Sequence, residues 1–310
     1  MILLIVDIMT GTESDWKNVI AKELPDLEVR FWPDIKDPKD IKYLAFGRPN
    51  FDELPDLPNL GFMMTRQAGV DSWINHPKIP KVPLTKLEPE TGDPMMTEYV
   101  VLHVLNLHRN LLQYKKQQNN KVWEPISQVR PEDRKLGFLG LGQLALPPAK
   151  ILVELGFPVS AWTRRPKNQP GIEISFGPEN LEGFMKKTDI LVCFLPLTKE
   201  TVNIINHRTL ALMPKGSMIF NVGRGEHVVE ADLLEALDSG HIAAATLDTT
   251  YPEPLPADSK LWTHPNVTIM PHVARRPPVK QLAPQIIENI QRFEAGKGLS
   301  QPVDTEAGYL

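Results

Sequence analysis

Three residues in the second half of the chain have side chains that can bind an anion and transfer a proton. Arg224 lies between glycines in NVGRGE, Glu253 lies in TTYPEPLP, and His272 follows the apolar run VTIMP. A guanidinium binds a carboxylate through two parallel hydrogen bonds and polarises a neighbouring carbonyl group. An imidazole can donate a proton to the carbonyl oxygen as hydride reaches the carbon, and a carboxylate can orient that imidazole. These residue types indicate hydride transfer to a 2-oxo acid.

Each of the three candidate residues follows an apolar run that is typical of a buried strand. The runs SMIFNVG, AAATLDTT and VTIMPH are apolar on both faces, as strands covered by helices on each side must be. The carboxyl ends of parallel strands open onto one ligand crevice, so the three side chains could face a single site. Taken singly, each residue also fits a structural role as a loop cation, a turn or a strand cap.

A glycine-rich turn near the middle of the chain predicts a dinucleotide-binding site. LGFLGLGQLA has an apolar strand before the turn and a helical pattern after it. Gly140 permits a tight turn, Gly142 lets the backbone approach a pyrophosphate, and Ala145 lets helix and strand pack closely. The N–H groups around Gln143 and Leu144 would face the phosphates. A turn without a ligand is the alternative.

Two prolines follow this turn, where a helix should begin. Pro147 and Pro148 come slightly after the first helical position, at which proline is tolerated. We expect them to disturb the second turn of the helix and to remove one or two backbone hydrogen bonds. The donors that would face the phosphates lie earlier, so we still expect the turn to hold a nucleotide.

The residues after the next strand predict which dinucleotide binds. Enzymes that use NAD normally place Asp or Glu about 20 residues after the glycine turn, on the ribose 2′-hydroxyl. Here the run VSAWT ends in Thr163, followed by Arg164 and Arg165, with no acidic residue near. Two guanidiniums and a hydroxyl suit a 2′-phosphate. We therefore expect NADP(H) to be preferred and NAD(H) to be possible, with a solvated basic turn as the alternative.

The order of apolar runs predicts an α/β protein with two doubly wound parallel sheets. MILLIV, LEVRFW, YLAFG and LGFMMT indicate four early strands, and a second alternating series begins at LGFLGL. A last helical pattern after Pro278 could run back to the first series, which makes the first domain discontinuous. We predict two Rossmann-like domains with a cleft between them: a flavodoxin-like substrate domain of residues 1–93 and 281–310, and an NAD(P)-binding domain of residues 94–280.

A long helical pattern lies between the two series of strands. The stretch from Asp93 to Gln118 is apolar on more than one side, which is typical of a helix that bridges domains or packs on a partner subunit. His103 and His108 lie on it. We expect them to be surface or packing residues, because no acidic or sulfur cluster accompanies them, and we expect no metal site.

Composition excludes several other classes of protein. A formal net charge of −4 leaves no basic footprint for nucleic acid or for a membrane surface. Cys193, the single cysteine, rules out an internal disulfide and indicates a buried thiol in a reducing compartment. The first apolar run ends at Asp7, and no later run approaches the roughly 18 apolar residues of a spanning helix. We expect a cytoplasmic protein.

Several segments resemble the D-isomer-specific 2-hydroxyacid dehydrogenases, and the resemblance extends over nearly the whole chain. It rests on NVGRGEHVVEADLLEALDSG, LDTTYPEPLP and PHVA, while QAGVDSWINHP, TEYVVLHVL and FLPLTKETVNIIN resemble the glyoxylate/hydroxypyruvate reductase A branch. The resemblance implies reduction of glyoxylate, hydroxypyruvate or a similar 2-oxo acid to the D-2-hydroxy acid. It also implies that Arg224, Glu253 and His272 are the catalytic residues.

The same resemblance implies further contacts. Backbone N–H groups near Gly69 and Val70 would hold the substrate carboxylate across the cleft. Asp248 would lie beside the nicotinamide, and the helix at 97–118 would pair two subunits in a homodimer. The other implied cofactor contacts are Leu195, Pro196, Thr201, Val222 and Gly223.

Two arginines depart from the pattern of this family. After PHVA, relatives usually have another small residue, whereas Arg275 and Arg276 follow directly here. They could add positive charge at the cleft and favour a more acidic substrate, or they could point to solvent, which we favour.

A nucleotide-sensing binding protein on the same fold, with little turnover, is the alternative function. A pure binder need not retain the arginine, glutamate and histidine together. Since all three are present here, we favour the enzyme.

Overall fold

The computed structural model describes residues 1–7, 10–47, 49–67, 69–70, 73–87 and 92–303. The chain divides into two compact units, the first comprising residues 1–90 and 276–310 and the second residues 91–275. Each unit contains its own parallel sheet. The predicted α/β fold with two parallel sheets is confirmed.

The first unit is built on five parallel strands. Its elements up to the end of the sheet are β1 (Ile2–Val6), α1 (Glu13–Glu23), β2 (Glu28–Phe31), β3 (Ile41–Phe46), β4 (Phe62–Thr65) and β5 (Leu84–Lys86). The strand order is β2-β1-β3-β4-β5, which is the order of flavodoxin-like folds. The predicted strands correspond to β1 to β4. The sequence interpretation missed β5, which has only three residues.

The second unit begins with two helices and continues as alternating strands and helices. Its elements are α2 (Pro94–His108), α3 (Leu111–Asn119), β6 (Leu136–Leu139), α4 (Leu146–Glu154), β7 (Val159–Thr163), β8 (Ile172–Phe176), α5 (Leu181–Met185), β9 (Ile190–Cys193), α6 (His207–Leu212), β10 (Ser217–Asn221), α7 (Glu230–Asp238), β11 (Ile242–Leu247) and β12 (Val267–Ile269). The sheet order is β12-β11-β10-β9-β6-β7-β8. The order reverses between β6 and β9, and ligands of such sheets bind at the carboxyl ends of the strands near that reversal.

The last helix, α8 (Val279–Glu294), belongs again to the first unit. Its buried residues recur at helical spacing and pack with strand residues such as Leu3 and Ile5. Pro284 lies on its exposed side. The apolar pattern after Pro278 therefore predicted this helix correctly. Within the described residues, no helix is both long enough and apolar enough to cross a membrane.

The prediction of one long helix over 97–118 is wrong. The structure ends α2 at His108 and begins α3 at Leu111. Between them, Asn110 has a φ of 56°, which is left-handed. Asparagine visits this conformation more readily than most residues, and the conformation interrupts a right-handed helix. Because the apolar spacing continues across the break, the pattern alone did not reveal it.

The two histidines of α2 are packing residues. His103 lies against Tyr99, with ring centroids 4.4 Å apart, and His108 meets the edge of Phe157 at 4.9 Å. Burial lowers the pKa of each imidazole below its ordinary value of 6.5. For His108, the charges of Arg134 and Arg109 lower the pKa further.

These buried imidazoles should make stability depend on pH. Below pH 6.5 the unfolded chain binds protons that the folded protein resists, so the free energy of unfolding should decrease as the pH falls. His103→Phe keeps an aromatic ring there and should reduce the loss of melting temperature between about pH 7 and pH 5. The exposed His207 gives the control: His207→Gln should show the wild-type pH dependence. If His103→Phe also retains the wild-type pH dependence, His103 is not a source of the loss of stability at low pH.

Candidate active site

The glycine turn lies between β6 and α4, at the reversal of strand order. Gly140 has a φ of 88°, and a Cβ added there would lie 3.3 Å from the backbone of Phe194, so glycine suits this position on both grounds. A Cβ added to Gly142, by contrast, would meet no heavy atom within 4 Å. Open space beside an exposed glycine backbone is what a pyrophosphate needs for close approach. The turn therefore fits a dinucleotide.

The predicted effect of the two prolines is wrong. The helix α4 begins at Leu146, so Pro147 and Pro148 are its second and third residues. N–H groups in the first turn have no partner within a helix, and proline there costs no helical hydrogen bond. The turn before them is closed by the N–H groups of Ala145 and Leu146, which donate to Gly142 O.

The basic segment after β7 is joined to the glycine turn by a lysine. Thr163 is buried and donates its hydroxyl hydrogen to Arg165 O, at 2.7 Å, while Arg164 and Arg165 are exposed. Lys167 Nζ donates to Leu141 O in the glycine turn, also at 2.7 Å. The sequence interpretation missed Lys167, although a third cation so soon after two arginines was the available signal.

The loop after β9 uses its polar groups internally. Thr201 Oγ1 donates to Pro196 O at 2.6 Å and accepts from the N–H of Thr198 at 2.8 Å. Thr201 and Leu195 are buried, whereas Pro196 is exposed. The hydroxyl of Thr201 therefore shapes the loop, and its contact with a cofactor stays a prediction.

Arg224 follows β10 in a loop that two buried side chains support. Asn221 donates from Nδ2 to Arg224 O at 2.7 Å, and His227 Nδ1 accepts from the N–H of Arg224 at 3.1 Å. Because Nδ1 accepts a hydrogen bond, a neutral His227 imidazole carries its proton on Nε2, which lies 3.3 Å from Pro196 O. His227 thus connects the loop of Arg224 with the loop after β9. Sequence reasoning assigned no role to it.

A glycine brings the loop of Arg224 against the loop that carries Glu253. A Cβ added to Gly225 would lie 2.0 Å from the carbonyl carbon of Thr250 and 2.5 Å from Tyr251 N. Only glycine permits this approach of two backbones. The loops after β10 and β11, which are neighbouring parallel strands, are therefore packed together.

His272 and Glu253 form the hydrogen-bonded pair that the residue types predicted. Nδ1 of His272 lies 2.9 Å from Oε2 of Glu253, and the two side chains are 36% and 27% exposed. The N–H of Thr250 donates to Oε1 of Glu253 at 3.3 Å, which orients the carboxylate. Because the carboxylate occupies Nδ1, Nε2 is the ring nitrogen that can exchange a proton with a ligand.

Asp248, predicted to lie beside the nicotinamide, is 1% exposed. Its Oδ1 accepts from the hydroxyl of Tyr99 at 2.7 Å and from the N–H of Val273 at 2.9 Å. Its Oδ2 accepts from the N–H of Ala274 at 3.3 Å. The carboxylate thus anchors the chain just after His272, and its contact with a cofactor stays a prediction.

The predicted carboxylate contacts near Gly69 and Val70 follow β4 in the first unit. Val70 is buried, and its carbonyl accepts from the N–H groups of Trp73 and Ile74 at 3.2 and 2.9 Å. Ala68 and Asp71 of the same QAGVD motif lie outside the described residues. The role of this segment in holding a substrate remains a prediction.

The expectation that Arg275 points to solvent is wrong. Its Nε lies 2.7 Å from Oδ2 of Asp93, and the two side chains are 7% and 0% exposed. Asp93 also caps α2 by accepting from the N–H of Met95. Arg275 is therefore a buried partner of the cap within the second unit, whereas Arg276 is exposed.

Together these features define a class of protein. A parallel sheet with this strand order carries a glycine turn at its reversal, and the loops after neighbouring strands carry an arginine and a histidine–carboxylate pair. This combination is that of an oxidoreductase that uses a nicotinamide dinucleotide.

Comparison with known proteins identifies the family. A family model described as D-isomer specific 2-hydroxyacid dehydrogenase, NAD binding domain, matches residues 101–274. The chain therefore belongs to the D-isomer specific 2-hydroxyacid dehydrogenase family, and the resemblance found in its sequence is confirmed. Its activity is that of an NAD(P)-dependent 2-hydroxyacid dehydrogenase.

Solved structures of similar proteins match this chain over almost its full length. A D-isomer specific 2-hydroxyacid dehydrogenase from Xanthobacter autotrophicus, in complex with NADPH and MES, is 36% identical, with 99% of each chain covered and a TM-score of 0.90. An NADPH-dependent glyoxylate/hydroxypyruvate reductase from Sinorhizobium meliloti, in complex with NADP and sulfate, is 32% identical, with 100% of each chain covered and a TM-score of 0.90. A probable 2-hydroxyacid dehydrogenase from Rhizobium etli, in complex with NADP, HEPES and L(+)-tartaric acid, is 28% identical, with 99% of each chain covered and a TM-score of 0.87.

Proposed function

We propose that this protein reduces glyoxylate, hydroxypyruvate or a similar small 2-oxo acid to the D-2-hydroxy acid, with NADPH as the preferred reductant. The observation that carries the proposal is the 2.9 Å contact between His272 Nδ1 and Glu253 Oε2. It supports an oriented proton donor in the loop after β12. The Sinorhizobium meliloti relative, a glyoxylate/hydroxypyruvate reductase, supports the substrate class.

The proposed reaction adds one hydride and one proton to a carbonyl group. When bound, reduced nicotinamide supplies the hydride to the carbonyl carbon. Arg224 binds the substrate carboxylate and polarises the carbonyl bond. His272 gives its Nε2 proton to the carbonyl oxygen, and Glu253 stabilises the imidazolium before that transfer. The products are the 2-hydroxy acid and oxidised cofactor.

Preference for NADPH rests on the cationic segment beside the glycine turn. Arg164 and Arg165 are exposed after β7, and Lys167 contacts the turn itself. Guanidinium groups bind phosphate through paired hydrogen bonds and would favour the dinucleotide that carries a 2′-phosphate. We assign the remaining cofactor contacts to the residues predicted from the family resemblance: Gly140, Gly142, Gln143, Leu144, Thr163, Leu195, Pro196, Thr201, Val222, Gly223 and Asp248.

Replacing both arginines should change cofactor preference. We expect Arg164→Ser/Arg165→Ser to raise KM for NADPH by about 100-fold while changing KM for NADH by less than about threefold, because two charge-assisted contacts to the 2′-phosphate are lost. Steady-state kinetics with each cofactor measures this. The double variant Arg130→Gln/Arg208→Gln removes the same formal charge from exposed positions and should leave both constants unchanged. An equal rise for NADPH and NADH would refute the selector role.

The reaction itself is tested with a panel of small 2-oxo acids. Oxidation of NADPH, and then of NADH, is measured for each acid as the loss of absorbance of the reduced cofactor. Turnover of glyoxylate or hydroxypyruvate supports the proposal. If no 2-oxo acid is reduced with either cofactor, the proposed reaction is refuted. NADPH binding without turnover would then favour the nucleotide-sensing alternative.

We also propose a homodimer that forms through α2 and α3. Leu102 and Leu111 expose 51% and 43% of their surface on these helices. Val122 and Trp123, just after α3, expose 45% and 101%. Large apolar side chains grouped at a surface favour association. Sedimentation equilibrium, which gives the mass in solution directly, tests this assembly.

A further inference from the structure

Asp248, a buried residue, holds the backbone of His272 and of the two residues that follow it. Its own carbonyl accepts from the N–H of His272 at 2.8 Å. Its side chain accepts from the N–H groups of Val273 and Ala274 at 2.9 and 3.3 Å. One residue therefore anchors three consecutive N–H groups, and the first of them belongs to His272.

This anchoring matters because His272 has an uncommon backbone conformation. Its φ is 53°, in the left-handed region that residues with a Cβ seldom adopt. Such conformations persist where the surrounding structure fixes them, and they cluster at functional sites. Three hydrogen bonds to Asp248 help to fix it here, together with the contact of the His272 N–H with Met270 O at 3.0 Å. They also fix the direction in which the side chain leaves the backbone.

Tyr99 in turn fixes the carboxylate of Asp248. Its hydroxyl donates to Oδ1 at 2.7 Å from α2, an element that carries none of the proposed catalytic residues. The ring of Tyr99 is held by His103 and by Phe220, with centroids 4.4 and 6.1 Å away. Burial and the charge of Asp248 raise the pKa of Tyr99 well above its usual range, so the hydroxyl remains a donor.

We propose that Tyr99 is a positioning residue for the reaction, acting through Asp248 to hold His272 in the orientation from which it donates its proton. The inference rests on the proposed function of His272. The hydroxyl of Tyr99 donates to Asp248, whereas Nδ1 of His272 is hydrogen-bonded to Glu253. Its effect therefore passes through the carboxylate and the two N–H groups that follow His272.

Tyr99→Phe removes the hydroxyl and keeps the ring, so it tests the proposal without opening a cavity. We expect kcat to fall about tenfold or more, because small displacements of a catalytic group are costly. KM for the 2-oxo acid and for NADPH should change less than about twofold, since no binding group is lost. Hydrogen–deuterium exchange in a peptide covering residues 270–276 should become faster.

Tyr43→Phe is the matched control. Tyr43 is also a buried tyrosine whose hydroxyl donates to a carboxylate, that of Glu294, but it lies in the first unit. This variant should keep wild-type kcat and wild-type exchange at residues 270–276. If Tyr99→Phe keeps wild-type kcat and exchange, or if Tyr43→Phe shows the same losses, the positioning role is overturned. If the wild-type protein reduces no 2-oxo acid, the proposed function fails, and the exchange measurement alone then decides whether Tyr99 holds this segment.

Discussion

His272→Gln is expected to lower kcat for 2-oxo acid reduction by a factor on the order of 10² to 10⁴, the range that a positioned general acid contributes. Glutamine fills similar space, but its amide does not release a proton at neutral pH. The Kd for NADPH should change little, because the glycine turn and the basic segment follow β6 and β7 rather than β12. Steady-state kinetics gives kcat, and a fluorescence titration with NADPH gives Kd.

His264→Gln is the matched control for this variant. Nε2 of His264 also contacts a carboxylate, Oδ1 of Asp238, at 3.3 Å. His264 lies before β12, however, whereas His272 lies after it. The two histidines thus occupy opposite ends of one strand, and His264→Gln should keep wild-type kcat. A wild-type kcat in His272→Gln would show that His272 is not the proton donor of the proposed reaction.

Arg224→Gln should lower kcat/KM for the 2-oxo acid by a factor on the order of 10² to 10³, similar to the loss of a donor that stabilises developing charge. KM for the acid should rise, because the paired hydrogen bonds to its carboxylate are lost, while KM for NADPH should stay close to the wild-type value. Arg224→Lys should recover only part of the loss, since an ammonium group keeps the charge without the planar fork. Kinetics with the acid and with NADPH varied in turn measures both constants.

The fold should tolerate these changes at Arg224. The contacts with Asn221 and His227 use the carbonyl and the N–H of Arg224, which glutamine and lysine both retain. Arg208→Gln is the control, because Arg208 is an exposed arginine of the same unit whose guanidinium contacts Glu182. It should leave both KM values unchanged. If Arg224→Gln raised KM for NADPH as much as KM for the acid, Arg224 would belong to cofactor binding and not to the carboxylate clamp.

The sequence was sufficient to predict the two parallel sheets and to mark candidate residues at the ends of strands. Apolar runs such as those of β6 and β10 report burial on both faces, and this depends on local composition alone. Gly140 and Gly142 likewise reveal a turn because glycine permits backbone that other residues seldom adopt. The pairing of His272 with Glu253 followed from residue type together with the common edge of parallel strands.

The errors arose where a local pattern had more than one structural outcome. Continuous helical spacing fitted both one long helix and two helices separated by a left-handed Asn110. The prolines at 147 and 148 were harmful only if the helix began earlier than Leu146, and the sequence does not mark that start to within a residue. The start of a helix and its interruption depend on packing against the sheet, which a spacing pattern does not contain.

By itself, the sequence determined the fold class, the nucleotide turn and the chemical types gathered at the carboxyl ends of the strands. Only the tertiary structure decided the partners of individual side chains: Arg275 with Asp93, 182 residues apart, and Tyr99 with Asp248, 149 residues apart. The physical reason is one of scale. Burial and turn formation depend on neighbouring residues, whereas a hydrogen bond or ion pair requires two groups within about 3 Å, a distance set by the packing of every element between them.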